Sequence, residues 1–312
     1  MNRLKATPIL TSLLAGSLLF NVFGCQQIAQ EDSQKVLVSS KDGKSRFADY
    51  WYAGQAELNT YQVEQSRYGE MREGKAVMVF VTEDFSKSKH VKLDNPEKDW
   101  KDKVSVMKLN FVKRFVTGIY DYSMMLSAFT PVDLENYPHS LKTTTTSQDW
   151  CGQSFVQMNL KGNDYKVQLR SYFESEGDKD FSTGGDLLED ELWNRIRINP
   201  QSIQPGEMDL VPSTLFSRLK HESIRPRRAR IRLEQSEAMN RLIVEYMHLD
   251  RTVIIGYEPQ FPYHILAWEE QDEGKLSSKG TLLQSIKAPY WTQHDNDDLY
   301  LRDSLRLPKT IF

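Results

Sequence analysis

The residues best suited to covalent chemistry in this 312-residue chain are two cysteines, Cys25 and Cys151. A thiol acts as a nucleophile when an imidazole or another cation beside it stabilises the thiolate. If Cys25 is used elsewhere, Cys151 has no partner for a disulfide within the chain. We expect Cys151 to be a small buried apolar residue, with a nucleophilic role as the alternative.

The histidine and glycine patterns indicate neither a metal site nor a phosphate-binding loop. The six histidines are scattered, and no two have ligand spacing such as i, i+4 on a helix. His248 and His264 could meet on neighbouring strands, but structural histidines are the preferred interpretation. The chain has no Gly-rich phosphate loop, GxSxG elbow or HExxH motif. The sequence therefore predicts no metal site and no cofactor, and it leaves the catalytic residues, if any exist, unknown.

Cys25 has the clearest chemical context. Arg3 and Lys5 precede an uncharged, mostly apolar stretch at 8–23, and Val-Phe-Gly-Cys follows at 22–25. A positive start, a short apolar segment and a small residue before the cysteine are typical of a signal peptide that ends in a lipobox. We expect residues 1–24 to be a lipoprotein signal peptide and Cys25 to be acylated. Several acyl chains would anchor the chain firmly in a membrane.

The composition of the remaining chain limits its partners. Residues 25–44 are polar and are predicted to be a tether. Without Arg3 and Lys5, 38 Lys and Arg face 43 Asp and Glu, a net charge of −5. Nucleic-acid binding usually needs a basic face, so we expect none. The oligomeric state is not predicted. Gln26 after the cysteine favours the outer membrane of the cell envelope, either periplasmic or surface-facing.

One basic cluster is a candidate binding surface. In a strand at 229–233, Arg228, Arg230 and Arg232 would project together while the residues between them face the core. A row of guanidiniums binds phosphate well, so these three residues are a possible anion-binding site. The alternative is a solvated face neutralised by nearby carboxylates.

The hydrophobic pattern is mostly of period two, which predicts strands. Eleven are expected, at 57–68, 75–83, 104–115, 119–131, 140–147, 153–160, 165–174, 229–234, 241–248, 252–257 and 263–270, with another at 281–286. Turns are predicted at 71–74, 117–118 and 161–164, and a polar loop at 175–185. Helices are predicted at 45–54, 186–197, 212–221 and 299–305.

These elements predict a mainly β or α+β fold, because nearly every connection is of hairpin type. We expect a strongly curved antiparallel sheet, an open barrel or half-barrel, with two or three covering helices. Residues 45–312 would form a single β-rich body, with a possible subdivision near 176–222. The many aromatic residues would either fill its core or line a cavity for a hydrophobic ligand.

Four segments are similar to a family of Bacteroidota lipoproteins of unassigned function. They are YWYAG-x-AE-x-x-x-Y-x-x-EQ-x-RYGE at 50–70, DWCG at 149–152, FPY-x-IL-x-WEE at 261–270 and K-x-PYW-x-QH at 287–294. Members are often labelled septum formation inhibitor Maf, a label that implies a nucleotide pyrophosphatase. The chain lacks the N-terminal Ser/Arg-rich phosphate motif of those enzymes.

Together these observations favour a membrane-anchored, non-catalytic envelope lipoprotein that binds a hydrophobic ligand or a partner protein through its curved sheet. An envelope hydrolase that uses Cys151 or a His/Asp group is the alternative. A Maf-like pyrophosphatase is a further alternative, which the family label alone suggests.

Overall fold

One antiparallel sheet of fifteen strands organises the protein in a computed structural model that describes residues 41–309. The strand order is β8-β7-β6-β5-β4-β3-β2-β1-β15-β14-β13-β12-β11-β10-β9. Every neighbouring pair is antiparallel except β9 and β10. The expected mainly β, antiparallel and unclosed fold is confirmed.

The strands extend over the following ranges: β1 Ala56–Arg67, β2 Glu70–Ser86, β3 Lys103–Thr117, β4 Tyr120–Pro131, β5 Lys142–Asp149, β6 Gly152–Lys161, β7 Asp164–Ser171, β8 Lys179–Thr183, β9 Leu187–Leu188, β10 Gly206–Val211, β11 Arg227–Glu234, β12 Asn240–Tyr246, β13 Arg251–Tyr257, β14 Ile265–Asp272 and β15 Lys275–Ala288. Within residues 41–309 the α-helices are α1 Lys41–Trp51, α2 Leu192–Ile198, α3 Thr214–Lys220 and α4 Leu301–Ser304. Among the residues described, no helix is long and apolar enough to cross a membrane.

Ring contacts across the sheet demonstrate its curvature. Phe111 on β3 and Trp268 on β14 have ring centroids 5.3 Å apart, although three strands separate β3 from β14. In a flat sheet, four steps of about 4.8 Å would place these strands roughly 19 Å apart. The sheet therefore curls so that distant strands face one another across a common core.

The concave face of the curled sheet is filled with protein. Helix α2 lies inside it, where Trp193 packs against both Phe111 and Trp268. Leu192 and Ile196 of α2 belong to the same buried cluster as apolar side chains from β1–β4 and β10–β14. Of the two possibilities for the aromatic residues, core filling therefore applies to this central region, and a ligand there would have to displace α2.

The two ends of the sheet meet through side chains. Val156 and Val167, on β6 and β7, pack in one cluster with Leu188 and Val211, on β9 and β10. In the described sheet, no ladder joins β8 to β9, although the two strands are consecutive in the chain. We call this junction the seam; it is closed by apolar contacts and not by backbone hydrogen bonds.

Three local predictions were wrong. The first hairpin turns at Tyr68–Gly69 and not at 71–74, because Arg67 pairs with Glu70 and the strands continue outward. The predicted polar loop at 175–185 contains the edge strand β8, and the stretch before α3 contains β10. The predicted helix at 186–197 is shorter, since residues 187–188 pair with β10 and Glu189–Glu191 form a 3₁₀ turn.

A subdivision near 176–222 would require these residues to interrupt the sheet. They contribute to it instead. They supply β8, β9 and β10, together with α2 and α3. A single sheet therefore receives strands from both sides of this region.

Candidate ligand site at the seam

A cavity of about 480 Å³ lies at the seam between β6–β8 and the end of α3. Its volume falls within the range of roughly 300–1,000 Å³ that is usual for small-molecule sites. Strand residues form one side, and α3 with residues 221–225 forms the other. We call it the seam cavity.

Apolar side chains line part of the seam cavity. They are Val156 of β6, Leu169 of β7, Phe181 of β8 and Ile224 after α3. Val156 and Ile224 are buried, whereas Leu169 and Phe181 are partly exposed. The alternation of β6 and β7 places these residues on the face turned toward α3, which gives the cavity a surface suited to hydrocarbon.

Arg218 adds a charged group to the lining of the seam cavity. It lies on α3 and lines the cavity, and its side chain is only 5% exposed. Its Nε and Nη1 have no hydrogen-bond partner among the residues that the structure describes. Nη2 is 3.7 Å from Oδ2 of Asp149, which is longer than a hydrogen bond. The guanidinium stacks over Phe173 at 4.3 Å from the ring centroid.

A buried arginine with two unpaired nitrogens is costly. Buried polar groups in native proteins are nearly always hydrogen-bonded, and an unsatisfied charged donor costs more than a neutral one. Such a group beside a cavity therefore marks a place where a ligand could supply the missing acceptors.

The carboxylates that line the seam cavity already have side-chain partners. Glu176 pairs with His221 at 2.5 Å, Glu222 with Arg227 at 2.8 Å and Asp180 with Arg170 at 2.9 Å. Among the cavity-lining residues described, the side chains of Lys179 and Arg225 have no ion-pair partner. The lining therefore holds more uncommitted positive charge than negative charge.

Thr214, at the first turn of α3, connects the cavity to a buried acid. Its backbone N–H and hydroxyl both donate to Oδ2 of Asp190, at 3.1 and 2.6 Å. Burial raises the pKa of Asp190 to about 6, and the hydrogen bonds from Ser213 and Thr214 only partly oppose that rise. Asp190 is thus a proton-sensitive group immediately behind the cavity lining.

A second buried arginine, Arg197 at the end of α2, is fully paired. It makes a bidentate contact with Glu57 at 2.5 and 2.6 Å, and its Nε donates to the carbonyl of Pro262 at 3.0 Å. Burial alone would raise the pKa of Glu57, but Arg197 and His264 hold it well below its usual range. This cluster joins α2 to β1 and leaves no open acceptor or donor for a ligand on the guanidinium.

A smaller polar cleft of about 120 Å³ lies on the other side of α3. It is lined by Lys113 and Glu270, and Lys113 donates to Gln65 at 3.0 Å and Ser278 at 3.3 Å. Burial lowers the pKa of Lys113. Because this amine has neighbours that satisfy it and an opposite charge nearby, the cleft is explained by internal pairing.

Cys151 is exposed, so the expectation that it is buried was wrong. The β5–β6 hairpin turns at Trp150–Cys151, which places the thiol at a tip of the sheet. Its backbone N–H donates to Oδ1 of Asp149 at 2.7 Å. Among the hydrogen bonds of the described residues, none joins Cys151 to an imidazole. The hydrolase alternative, with Cys151 or a His/Asp group, stays a prediction.

The histidines are also separated. His248 is in the β12–β13 turn, and His264 immediately precedes β14; the pairing of Tyr257 with Ile265 places these two sites at opposite ends of the strands. The idea that they form a metal pair was therefore wrong. Within residues 41–309, no group of three or more metal-binding side chains is found.

The arginine row projects to solvent as the sequence predicts, and carboxylates accompany it. Arg228 and Arg230 both pair with Glu207, at 3.7 and 2.8 Å, and Arg232 pairs with Glu245 at 2.7 Å. These pairs match the alternative of a solvated, neutralised face. Anion binding by Arg228, Arg230 and Arg232 stays a prediction.

Searches against protein-family models, curated proteins and solved structures found no match for this chain. The resemblance to the Bacteroidota lipoproteins therefore stays a prediction. Cys25, the predicted lipid attachment site, lies outside the described residues.

Sequence reasoning did not find Arg218. The helix at 212–221 was predicted, but a single arginine on a short helix is usually solvated, and its burial depends on the return of β6–β8 toward α3. The available signal was indirect: Arg218 lies in a segment with Leu215, Phe216 and Leu219, so at least one face of that helix had to be buried.

Proposed function

We propose that this chain is a membrane-anchored, non-catalytic lipoprotein of the cell envelope that binds a small hydrophobic ligand in the seam cavity. The observation that carries the proposal is the cavity itself: about 480 Å³ lined by Val156, Leu169, Phe181 and Ile224. The central concave face of the sheet is filled by α2, whereas the seam cavity has space for a ligand.

The architecture supports a binding role. Apolar side chains pack across the seam, where no ladder joins β8 to β9 in the described sheet, and such contacts can part and re-form more readily than a hydrogen-bonded ladder. Small-molecule sites commonly combine an apolar lining with a few polar groups that fix orientation. The seam cavity has both components.

The anchor is proposed from the sequence at 3–25. A positive start, an apolar segment and a cysteine after glycine support export and acylation of Cys25. The polar stretch that follows would let the folded body work at a distance from the bilayer. The outer membrane is the proposed location.

Replacing Leu169 with Trp tests the cavity. The larger ring would occupy the space between β7 and α3, and tryptophan is well tolerated in strands. Calorimetric titration with octanol measures the affinity of the full-length chain in nanodiscs of net-neutral phosphatidylcholine. Leu169→Trp should bind octanol at least tenfold more weakly than the wild type. Gln168→Trp is the matched control, since Gln168 lies on the same strand but is exposed.

Native mass spectrometry of the gently extracted chain provides a second measurement. The wild type and Gln168→Trp should retain a small bound molecule that Leu169→Trp has lost. Equal octanol binding and equal retention in all three proteins would refute ligand binding in the seam cavity.

Cys25→Ala tests the anchor. A lipoprotein signal peptidase needs the acylated cysteine, so the variant should accumulate as an uncleaved precursor that takes up no radiolabelled palmitate. Normal cleavage of the variant would contradict lipidation at Cys25.

A further inference from the structure

We infer that the seam cavity selects amphiphiles with an oxyanion head, a carboxylate or a phosphate ester, and that Arg218 binds that head. This inference rests on the proposed function and specifies its ligand. An uncharged hydrocarbon would contact the apolar residues of the cavity but would leave the guanidinium nitrogens without hydrogen-bond acceptors.

The first argument is the state of Arg218. Its side chain is 5% exposed, and two of its three nitrogens have no partner among the described residues. Arg197, equally buried, has a carboxylate in bidentate contact and a carbonyl besides. A planar guanidinium matches a carboxylate or phosphate with two parallel hydrogen bonds, so an oxyanion supplies what Arg218 lacks.

The nearby Asp149 does not supply it. Its Oδ2 is 3.7 Å from Nη2, and its Oδ1 accepts the backbone N–H of Cys151 at 2.7 Å. The carboxylate is thus held by the β5–β6 turn at a distance that provides attraction without a hydrogen bond. It attracts the guanidinium without occupying the other nitrogens, which stay available.

The second argument is the charge of the lining. Each carboxylate that lines the cavity has a side-chain partner, as described above, and those partners are His221, Arg170 and Arg227. Lys179 and Arg225 line the same cavity and form no ion pair with a described residue. An anion entering the cavity therefore meets three cations whose charge is not already neutralised within hydrogen-bonding distance.

The third argument is the arrangement of polar and apolar surfaces. Arg218 and the hydroxyl residues Thr214 and Ser217 come from α3, whereas Leu169 and Phe181 come from the strands opposite. The hydroxyl of Ser217 is buried without a partner in the described structure, so it can donate to an anion beside Arg218. Arg218 and Ser217 thus offer donors to a charged head, while Leu169 and Phe181 offer an apolar surface to a chain.

The test compares four probes on the full-length chain in phosphatidylcholine nanodiscs: octanoate, octyl phosphate, octanol and inorganic phosphate. Calorimetric titration of the wild type should show octanoate or octyl phosphate binding at least tenfold tighter than octanol. Inorganic phosphate should bind at least tenfold more weakly than octyl phosphate, since it lacks the chain. The stronger of the two charged amphiphiles identifies the head group.

Arg218→Met removes the charge and keeps a long apolar side chain. It should reduce the preference for the charged probes to less than threefold and leave octanol binding unchanged. Arg218→Lys keeps the positive charge but lacks the planar guanidinium. Its preference for the charged probes should lie between those of the wild type and Arg218→Met. This intermediate variant also guards against a folding defect in Arg218→Met. Arg241→Met, at an exposed position on β12 outside the cavity lining, is the matched control for the loss of one positive charge and should behave as wild type.

The outcomes separate the two proposals. Octanol binding as tightly as both octanoate and octyl phosphate in the wild type, or an unchanged preference in Arg218→Met, would overturn the anionic head while leaving a hydrophobic site. Inorganic phosphate binding as tightly as octyl phosphate would overturn the amphiphile. Failure of every probe, together with no effect of Leu169→Trp, would overturn the proposed function as well.

Discussion

Two buried arginines, one on each helix inside the sheet, differ in how their charges are satisfied. Arg197 on α2 is held by Glu57, by the carbonyl of Pro262 and between the rings of Trp51 and Phe80. Arg218 on α3 stacks on Phe173 and has two unpaired nitrogens among the described residues. Burial alone therefore does not distinguish a structural charge from a binding charge; the completeness of its partners does.

The largest effect is expected from removing the paired arginine. Arg197→Met leaves Glu57 buried without its counter-charge, which should lower the free energy of unfolding by about 3–5 kcal/mol. Urea denaturation followed by circular dichroism measures it. The double variant Glu57→Leu/Arg197→Met should recover most of the loss, because neither charge is then left alone. A loss of less than about 1 kcal/mol in the single variant would contradict a structural role for the pair.

Asp190 tests the region between the two helices. The pKa of Asp190 rises from 3.8 to about 6 on folding, so the folded state holds the proton more tightly. Stability should therefore fall as the pH rises from about 4 to 6, by roughly 3 kcal/mol in total. Asp190→Asn keeps an oxygen for Thr214 and should remove this decline, making the variant more stable than wild type at pH 8. Parallel profiles of the two proteins between pH 4 and 8 would contradict the assignment.

Arg218→Met should change stability little, by about 1 kcal/mol or less, because few of its polar contacts are complete. The same urea denaturation used for Arg197→Met gives the comparison directly. A loss of 3 kcal/mol or more would show that Arg218 is as structural as Arg197 and would remove the distinction between them.

The smallest effect is expected at His264, which contacts the paired cluster from outside. Burial opposes its protonation, but the hydrogen bonds to Glu57 and Glu258 and the charge of Glu57 together outweigh burial and raise the pKa of His264. Its contribution to stability is complete below pH 6.5 and is lost as the pH rises through the folded pKa. The stability difference between wild type and His264→Gln should shrink above pH 6.5. His248→Gln, at an exposed turn, serves as the control; a difference independent of pH would exclude protonation as the cause.

The strands were largely predictable because most alternate apolar and polar residues along one half-buried sheet. The exceptions have physical reasons. Gly74 suggests a turn by its type, yet it lies within β2, where an added Cβ would come within 2.2 Å of the carbonyl oxygen of Arg114. Strand β8 has only one neighbouring strand and is largely exposed, so its polar sequence matched a loop.

The candidate site was less predictable than the fold. Glu189, Asp190 and Glu191 are consecutive acids that would be expected in solvent, but each is buried against a different partner: Arg251, Thr214 and Arg195. Arg195 lies one helical turn from Glu191, but Thr214 and Arg251 are distant in sequence and reach Asp190 and Glu189 only in the folded chain. The same holds for Arg218, whose partners on β5 and after β7 lie 45–69 residues earlier.

The pairing of the first strand with the last has a consequence for how the chain folds. Ala56 of β1 pairs with Ala288 of β15, and the ladder continues to Gln65 and Ser278. Contacts between residues this far apart in sequence are slow to form, because the intervening chain loses much of its freedom before they stabilise anything. Until residues 275–288 arrive, β1 has one unpaired edge, and Trp268 lacks the close approach of Gly280 that completes the core. The final strand thus decides when the body becomes native.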